Sequence, residues 1–508
     1  MRQDLLKMLG LTMAVGTVVA CGPSEDPQSE PQPVDSTSVR QAVSESVGSS
    51  IDAVADGLAF LGESDLFNDY VWSSVGDDDY YCDDTPVVPM PGEDPIEPIP
   101  CEQPEAEPFA PDFDEERDEI RRVLEELILA DANIESSSDT EVTYLLRGEV
   151  VCAEEEEDDR AECEEDVDAL EVRLIASSMA AGEVDIRVNL GPDRIAPLSM
   201  GFGPERVSGD LDLEALREAI DFASAQLGES LPEELPSTME GRLSAQLSQL
   251  GDAVELKVGI AQAIAVAGEG YSINIAASPQ AFEVKADPQA RKLSVEVGLN
   301  AADISFPTGE VEECFGSGIP DEFGDNEFTC EVVDEGYQMG AALAGLQGAL
   351  SFLAGEERLE LRGFGLGDAP AKAFVEGEEV AALDFNAANG RSLDLDLAKD
   401  GDDVAISMSP GLDLELMLAL YRAQDVIQDL EEWMLDDVLS LVIDGDASPA
   451  LRFGDEGLKL ERGAMMMRSE SADITLDVEA GMCIGDIEPA EGSPEHPLAT
   501  LGVVACGE

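Results

Sequence analysis

The sequence predicts an α+β protein in which antiparallel β-meanders carry helices packed on one face, preceded by a disordered tether and a proline-rich loop. Three observations lead to this fold class. Apolar and polar residues alternate over many short segments, for example residues 184–190, which is typical of strands with one wet face. Turn residues follow these segments closely, and closely spaced strands must pair antiparallel because parallel pairs need long crossovers. A few longer segments repeat apolar residues every three or four positions, which indicates helices.

The N-terminal residues have the layout of a secretory signal peptide. Arg2 and Lys7 lie in the basic start, and residues 8–20 form an uncharged, mostly apolar run that is too short to span a bilayer as a stable helix. Small residues then lead into Cys21. This order is typical of a segment that directs export from the cytoplasm.

The stretch Val18-Val19-Ala20-Cys21 resembles the lipobox of bacterial lipoproteins. In that family the signal is cleaved just before the cysteine, which carries acyl chains and anchors the protein without spanning the membrane. The resemblance implies a removed signal at residues 1–20, a lipidated Cys21 and a lipidated tether at 21–36. Gly22 stands where an Asp would imply inner-membrane retention, so the resemblance implies the outer membrane, with the body facing the periplasm or the surface. Ordinary secretion with a chance cysteine is the alternative.

The charge balance limits the partners that this chain can have. It holds 112 acidic and 28 basic residues, a formal net charge of −84. Nucleic acid is therefore not expected as a partner, because phosphate binding needs clustered Lys and Arg. The membrane is expected as a partner through the lipid anchor, and the sequence indicates no particular ligand or protein partner. Solvation of the surface explains the acidity better than divalent-cation binding, because the acids are spread over the whole chain.

The cysteines predict a disulfide framework. There are nine, and if Cys21 is the lipid site an even number remains, which outside the cytoplasm indicates disulfides. Pairing between sequence neighbours is the simplest arrangement, although eight cysteines can pair in many ways. The predicted pairs are Cys82–Cys101, Cys152–Cys163, Cys314–Cys330 and Cys483–Cys506. A zinc site is not expected, because C-x-x-C elements are absent and His496 is the single histidine.

Composition divides the body into four predicted segments. They are an N-terminal helix with a proline-rich acidic segment at 37–111, an α+β lobe at 112–235, a main β-meander lobe with helices at 236–482, and a disulfide-clipped tail at 483–508. In the first segment, apolar residues at spacings of three and four predict a helix over 36–61, capped by Ser36 or Thr37. We expect this helix to pack on its own domain rather than on a partner. The proline-rich stretch up to Pro111 should be extended.

In the second segment we predict a helix at 112–130, a hairpin of strands 142–152 and 170–175, a strand at 184–190 and a helix at 211–227. The acidic run 154–159 is interpreted as the tip of that hairpin, with Cys152 and Cys163 at its neck.

The third segment is predicted to begin with a short helix at 239–250, followed by a meander of alternating strands from Val254 to Leu299. The uncharged, Ala- and Gly-rich run 337–355 is interpreted as a buried helix rather than a membrane span. A second meander follows, then a helix at 421–443 and strands near 458–460 and 474–478. Helix followed by meander recurs about four times, a pattern that duplication can produce, although the repeats do not align residue by residue.

No catalytic motif stands out, and no cofactor or metal ligand set is predicted. A Ser-His-Asp triad would need His496, which lies in Pro494–Pro497, interpreted as an exposed turn. The glycines of 363–367 indicate a bend between strands rather than a dinucleotide loop. The acidic runs 400–403 and 444–446 are interpreted as turns rather than calcium loops. A carboxylate pair for glycoside hydrolysis remains open, since so many acids always supply a pair.

These observations favour a non-enzymatic envelope or surface lipoprotein that binds an apolar or lipid-like ligand in a cleft lined by inward-facing strand residues. One alternative is a structural or adhesive surface protein whose acidic loops respond to calcium. A second alternative is a carboxylate-based hydrolase, which needs two acids facing each other in one cleft.

Overall fold

The computed structural model describes residues 34–68, 109–111, 113–153, 157–180, 183–227, 236–308, 311–320, 326–334, 337–385, 392–401, 403–423, 436–443, 448–454, 457–487, 496–504 and 506. The chain is mainly antiparallel β-sheet with a few helices. The α-helices are α1 (Ser36–Leu58), α2 (Asp65–Phe67), α3 (Asp114–Arg122), α4 (Gly148–Val151), α5 (Glu157–Leu170) and α6 (Leu213–Leu227). None of the described helices is long and apolar enough to cross a membrane.

Helix α1 confirms the predicted N-terminal helix, but its cap lies one residue earlier than expected. The Asp35 carboxylate accepts a hydrogen bond from the Ser38 backbone N–H at 2.7 Å, and the Asp35 N–H donates to Ser38 Oγ at 2.9 Å. This reciprocal pair satisfies two backbone donors at the helix start. The chain then tightens into a 3₁₀ helix at Ala59–Glu63 before α2.

The first part of the sheet is a simple meander in which each strand pairs with the next. Its strands are β1 (Ile134–Ser137), β2 (Glu141–Leu145), β3 (Arg173–Ala180), β4 (Glu183–Leu190), β5 (Ile195–Gly203) and β6 (Arg206–Asp212). Helix α1 contacts the sheet from β4 onward. Its stripe of Val39, Val43 and Val47 is buried against apolar strand residues such as Ile186 and Phe202.

The predicted acidic hairpin tip at 154–159 is wrong. The strand ends at Leu145, and α4 and α5 occupy the following segment, of which residues 154–156 lie outside the described part. Cys163, Val167 and Leu170 recur at helical spacing, and Val167 and Leu170 are buried. Glu and Ala favour helix, and acids in a first turn are stabilised by the helix dipole.

The predicted helix at 239–250 is also wrong, because this segment is strand β7 (Thr238–Leu250). It pairs with β6 on one side and with β8 (Ala253–Ala267) on the other. Leu243 and Leu247 lie on one face of β7, and Ser244 lies on the other. This period of two is typical of a strand, but the polar Ser and Gln residues of β7 make it hard to recognise in the sequence. The sheet therefore continues across the boundary predicted at residue 235.

The strands predicted from Val254 to Leu299 are confirmed, but they do not form one continuous meander, because the sheet forks into two layers at β8. The first half of β8, from Val254 to Ile260, pairs with β10 (Ser278–Asp287), and its last residues, from Ile264 to Ala267, pair with β9 (Ser272–Ile275). The first layer contains β10 (Ser278–Asp287), β11 (Lys292–Leu299), β16 (Leu346–Leu353), β17 (Arg358–Leu366), β20 (Leu393–Asp400), β21 (Asp403–Met408), β24 (Ala450–Gly454), β25 (Gly457–Arg462), β28 (Cys483–Asp486) and β29 (Leu501–Val504). The second layer contains β9 (Ser272–Ile275), β12 (Ala302–Pro307), β15 (Gln338–Leu343), β18 (Ala371–Val375), β19 (Glu378–Phe385), β22 (Asp413–Leu418), β23 (Asp437–Ile443), β26 (Ala464–Ser469) and β27 (Ile474–Glu479).

From β10 onward the chain alternates regularly between these layers. It adds one hairpin to the first layer, crosses, adds one to the second and crosses back, and each new hairpin pairs with the previous hairpin of its own layer. A separate hairpin of β13 (Val311–Pro320) and β14 (Asn326–Asp334) interrupts the order once. This alternation makes most of the pairings non-local, so they cannot be found from hydrophobic period alone.

Two more of the predicted helices are wrong, because these segments contain strands of the two layers. The run 337–355 contains β15 and β16, because its apolar residues alternate on one face of each strand and their small neighbours tolerate close strand pairing. In the run 421–443, a 3₁₀ turn ends at Ala423 and the last residues form β23; residues 424–435 lie outside the described part. In β23, Leu439, Leu441 and Ile443 lie on one face, and Val438 and Val442 on the other face are spaced four residues apart, as apolar residues of a helix would be.

Candidate functional site

The inner face of the first layer is a continuous apolar surface. Register pairing places one apolar residue from each of nine neighbouring strands side by side, which we call the first apolar row. It consists of Val254, Ala286, Leu293, Phe352, Leu359, Leu397, Ile406, Leu451 and Leu460. A second apolar row lies two residues along the strands. It consists of Leu256, Val284, Val295, Leu350, Leu361, Leu395 and Met408.

The second layer presents a matching apolar face. Phe385, Leu414, Leu441, Met467 and Leu476 are register partners across five strands. The two layers pack together where the chain crosses between them. The rings of Phe364 and Phe385, one from each layer, lie 5.9 Å apart edge to face. Leu412, Ile443, Leu451 and Leu460 are among the buried residues of this shared core. These contacts fix the two inner faces toward each other along one side.

Away from the crossovers, part of each inner face is open to solvent. Leu350 in the first layer is 37% exposed, and Phe306 in the second layer is 44% exposed. Half-buried apolar residues surround both. We call the space between these surfaces the groove. Its lining includes Val295, Val297, Leu350 and Leu361 from the first layer and Ile273, Ile304, Phe306 and Met339 from the second. A folded protein seldom leaves such a contiguous aliphatic surface half exposed without a use for it.

The opposite, outer face of the first layer is charged. Arg358 and Arg362 both contact the Asp396 carboxylate, and the hydrogen bond from Arg358 is the main reason that the pKa of Asp396 lies below its ordinary value. Lys257 contacts Glu255 at 2.5 Å on the same face. The layer is therefore apolar toward the groove and ion-paired toward water, as strand alternation requires.

The predicted turn at 400–403 is confirmed, and two of its acids, Asp400 and Asp403, have a protein partner. Arg452 on β24 contacts Asp400 at 2.9 Å and Asp403 at 3.2 Å. Gly401 occupies a positive φ of 72° that suits a two-residue hairpin turn. The fragment 444–446 lies outside the described residues. Among the residues that the structure describes, no group of three or more His, Cys, Asp or Glu could hold a metal ion.

His496 is buried, which corrects the prediction of an exposed turn. It is only 4% exposed, and its Nε2 lies 3.0 Å from the Asp437 carboxylate. Ser469 Oγ donates to the same carboxylate at 2.7 Å. This order places the Asp between the Ser and the His, whereas a catalytic triad places the His in the middle. All three side chains are buried, so the cluster joins the C-terminal segment to β23 instead of presenting a nucleophile.

Asp185 and Asp210 are two acids whose pKa values are both raised by burial. They lie two strands apart on the face opposite to α1, and each contacts an arginine: Asp185 contacts Arg187 at 3.2 Å, and Asp210 lies 3.8 Å from Arg242. A hydrolytic pair needs one acid and one base facing a shared substrate site. These carboxylates instead lie beside their own arginines, outside the groove.

A polar crevice of about 470 Å³ separates α1 from α3 and from the π-helical turn Val123–Ile128 that follows α3. Its lining residues are Thr37, Arg40, Gln41, Ser44, Glu45, Arg121, Glu125 and Glu126. Arg40 is engaged by Asp131 at 2.8 Å, and Arg121 donates to Ser44 Oγ at 2.9 Å. Because three glutamates line the crevice and both arginines already have partners, it lacks the net positive charge of an anion site.

Two of the predicted cysteine pairs are disulfides in the structure, Cys152–Cys163 and Cys483–Cys506. The backbone register of β13 and β14 sets Cys314 opposite Cys330. Cys82, Cys101 and the predicted lipidation site Cys21 lie outside the described residues, as do most of the tether and the proline-rich segment.

Comparisons with protein-family models, curated proteins and solved structures found no match to this chain. Its function is therefore argued from the groove. The alternating apolar residues that line the groove were visible as strand periodicity, but their exposure was not. Sequence reasoning missed the buried His496–Asp437 pair, because the two residues lie far apart in the chain.

Proposed function

We propose that the protein is a non-enzymatic, lipid-anchored protein of the cell envelope that binds an elongated apolar ligand, such as the acyl chains of a lipid, in the groove. The observation that carries the proposal is the half-exposed apolar lining between the two layers, with Leu350 on one wall and Phe306 on the other. A long alkyl chain would cover these side chains and remove apolar surface from water, which is favourable by about 25 cal/mol per Å².

The chemistry of the lining narrows the ligand class. Aliphatic side chains make up most of both inner faces, and the arginines of the first layer point outward into ion pairs. The net charge of −84 disfavours an anionic headgroup at the groove rim. The ligand is therefore an alkyl or acyl chain with an uncharged or zwitterionic headgroup.

The proposed location follows from the lipobox resemblance at Val18–Cys21. Acyl chains on Cys21 would hold the body at a membrane surface, and the tether up to residue 36 would let the groove stand away from the bilayer. The protein would then meet its apolar ligand beside the membrane, without an enzymatic step.

The test is binding of N-phenylnaphthylamine, an uncharged apolar fluorophore, to the full chain. We expect saturable binding. We expect Leu350→Asp to weaken it about tenfold, because one half-buried leucine contact is worth roughly 1.4 kcal/mol.

The matched control is Ala349→Asp, which adds the same charge one residue away on the opposite face of β16. It should bind like the unchanged protein. Phe306→Asp tests the second wall and should weaken binding in the same way as Leu350→Asp. Absence of saturable binding, or equal losses in Leu350→Asp and Ala349→Asp, would refute a ligand site in the groove.

A further inference from the structure

The segment that follows α1 lies on the inner face of the first layer, next to the residues of that face that line the groove. We call residues 59–67, the 3₁₀ helix and α2, the strap. Phe60, Leu61 and Leu66 of the strap are buried against Phe352 of the first apolar row. Leu293 and Leu359, the neighbours of Phe352 in that row, pack against the same cluster.

The strap is seated by aromatic contacts as well as aliphatic ones. The Phe67 ring lies 5.7 Å from the Phe352 ring and 5.5 Å from the Phe109 ring. Gly62 is closely approached by the Phe109 carbonyl, so a side chain at this position would clash. These contacts cover one part of the first apolar row, and the row continues beyond them to Leu397 and Ile406.

Two turn residues of adjacent first-layer hairpins hold the strap by polar contacts. The Glu357 carboxylate accepts hydrogen bonds from Ser64 Oγ at 2.9 Å and from the Leu66 N–H at 2.8 Å. Arg291 contacts Glu63 at 3.0 Å. Both Arg291 and Glu357 have a φ of 48°, in the left-handed region that non-glycine residues seldom occupy. Strained backbone of this kind persists where the surrounding structure fixes it, and often at binding and switch sites.

We propose that the strap is an internal occupant of the groove, which competes with the apolar ligand for the strip formed by Leu293, Phe352 and Leu359. This inference rests on the proposed function and specifies how the same site is regulated. Strap and ligand both bury apolar groups on this strip, so they exclude each other there. Ligand entry therefore releases the strap, and the contacts of Glu357 set how readily it leaves. Conversely, loosening the strap raises ligand affinity, because the two equilibria are linked.

The direct test is hydrogen–deuterium exchange of the full chain with and without saturating N-phenylnaphthylamine. We expect the ligand to speed amide exchange in residues 59–67, while residues 36–50 of α1 serve as an internal control and stay unchanged. Unchanged or slower exchange in the strap, in protein shown by fluorescence to be saturated, would overturn the inference.

The second test is Glu357→Gln, which removes the charge that accepts both hydrogen bonds. We expect it to bind N-phenylnaphthylamine about fivefold more tightly. Glu356→Gln, in the same turn but directed to Arg358, is the matched control and should bind like the unchanged protein. If the unchanged protein fails to bind the fluorophore, the proposed function fails. If it binds and Glu357→Gln binds no more tightly, the strap does not compete, while the groove still holds the ligand.

Discussion

The imidazole of His496 and the carboxylate of Asp437 form a buried pair, 3.0 Å apart, whose side chains are 1% and 0% exposed. The Leu498 backbone N–H donates to His496 Nδ1 at 3.0 Å. Because Nδ1 accepts, the proton lies on Nε2, which donates to Asp437. The pair ties the short C-terminal segment to β23 of the second layer, and the Cys483–Cys506 disulfide ties the same segment to the first.

Replacing the histidine should destabilise the protein. His496→Ala removes one donor to a buried carboxylate and the acceptor for Leu498, so we expect a loss of about 2 kcal/mol in the free energy of unfolding. His496→Gln, whose amide can still donate, should recover part of this loss. Urea unfolding followed by circular dichroism measures both variants. Equal stability of His496→Ala and the unchanged protein would contradict a structural role for the pair.

Asp437 should make stability depend on acid pH. Burial raises its pKa, but hydrogen bonds from Ser471, Ser469 and His496 outweigh burial, and the pKa lies below the ordinary value. The folded state therefore favours the ionised carboxylate. The contribution of Asp437 to the free energy of unfolding is complete above the unfolded pKa of about 4 and is lost as the pH falls further.

The measurement is the difference between the unchanged protein and Asp437→Asn across this pH range. The difference in unfolding free energy should shrink from about pH 4 downward. A difference that stays constant at all pH values would show that the carboxylate is not favoured in the folded state.

Replacing Tyr144 by Phe should not lower the stability of the protein. Tyr144 is fully buried on β2, and within the described residues its hydroxyl has no hydrogen-bond partner. Burial raises its pKa to about 12. We expect Tyr144→Phe to keep the fold and to gain up to about 1 kcal/mol, since an unpaired buried hydroxyl is unfavourable.

The same residue predicts a response to alkali. Because the folded pKa of Tyr144 lies above the unfolded value of about 10, its contribution to stability declines as the pH rises from about 10 toward 12. In a spectrophotometric pH titration, the unchanged protein should show a tyrosine that ionises only at high pH, and Tyr144→Phe should lack this step. A substantial loss of stability in Tyr144→Phe would mean that the hydroxyl has a partner.

Cys21 is predicted to carry the anchor. In a bacterial host with lipoprotein processing, the chain should gain the mass of acyl chains at Cys21 and partition into membranes. Cys21→Ala should abolish both, while Cys506→Ala, which breaks a disulfide instead, should leave membrane partitioning intact. Intact-mass analysis of the unchanged protein and the two variants tests whether Cys21 is acylated. An unmodified Cys21 would favour ordinary secretion.

Elements whose apolar pattern is local could be predicted from the sequence. The stripe of α1, the alternation of β4 and the apolar period of the separate strands β8 to β11 each follow from apolar spacing within one segment, because a helix or half-buried strand must turn those residues to one side. Neighbouring cysteines likewise indicated Cys152–Cys163 and Cys483–Cys506.

The remaining features depend on contacts between distant parts of the chain. Segments such as 239–250 and 337–355 are strands because partner strands supply their hydrogen bonds, and their small or polar residues do not reveal this from within. The alternation of hairpins between two layers, and with it the groove, depends on contacts between residues distant in the chain. The burial of His496 against Asp437 has the same origin. Local pattern specifies which side of an element is apolar, whereas non-local pairing determines what that side faces.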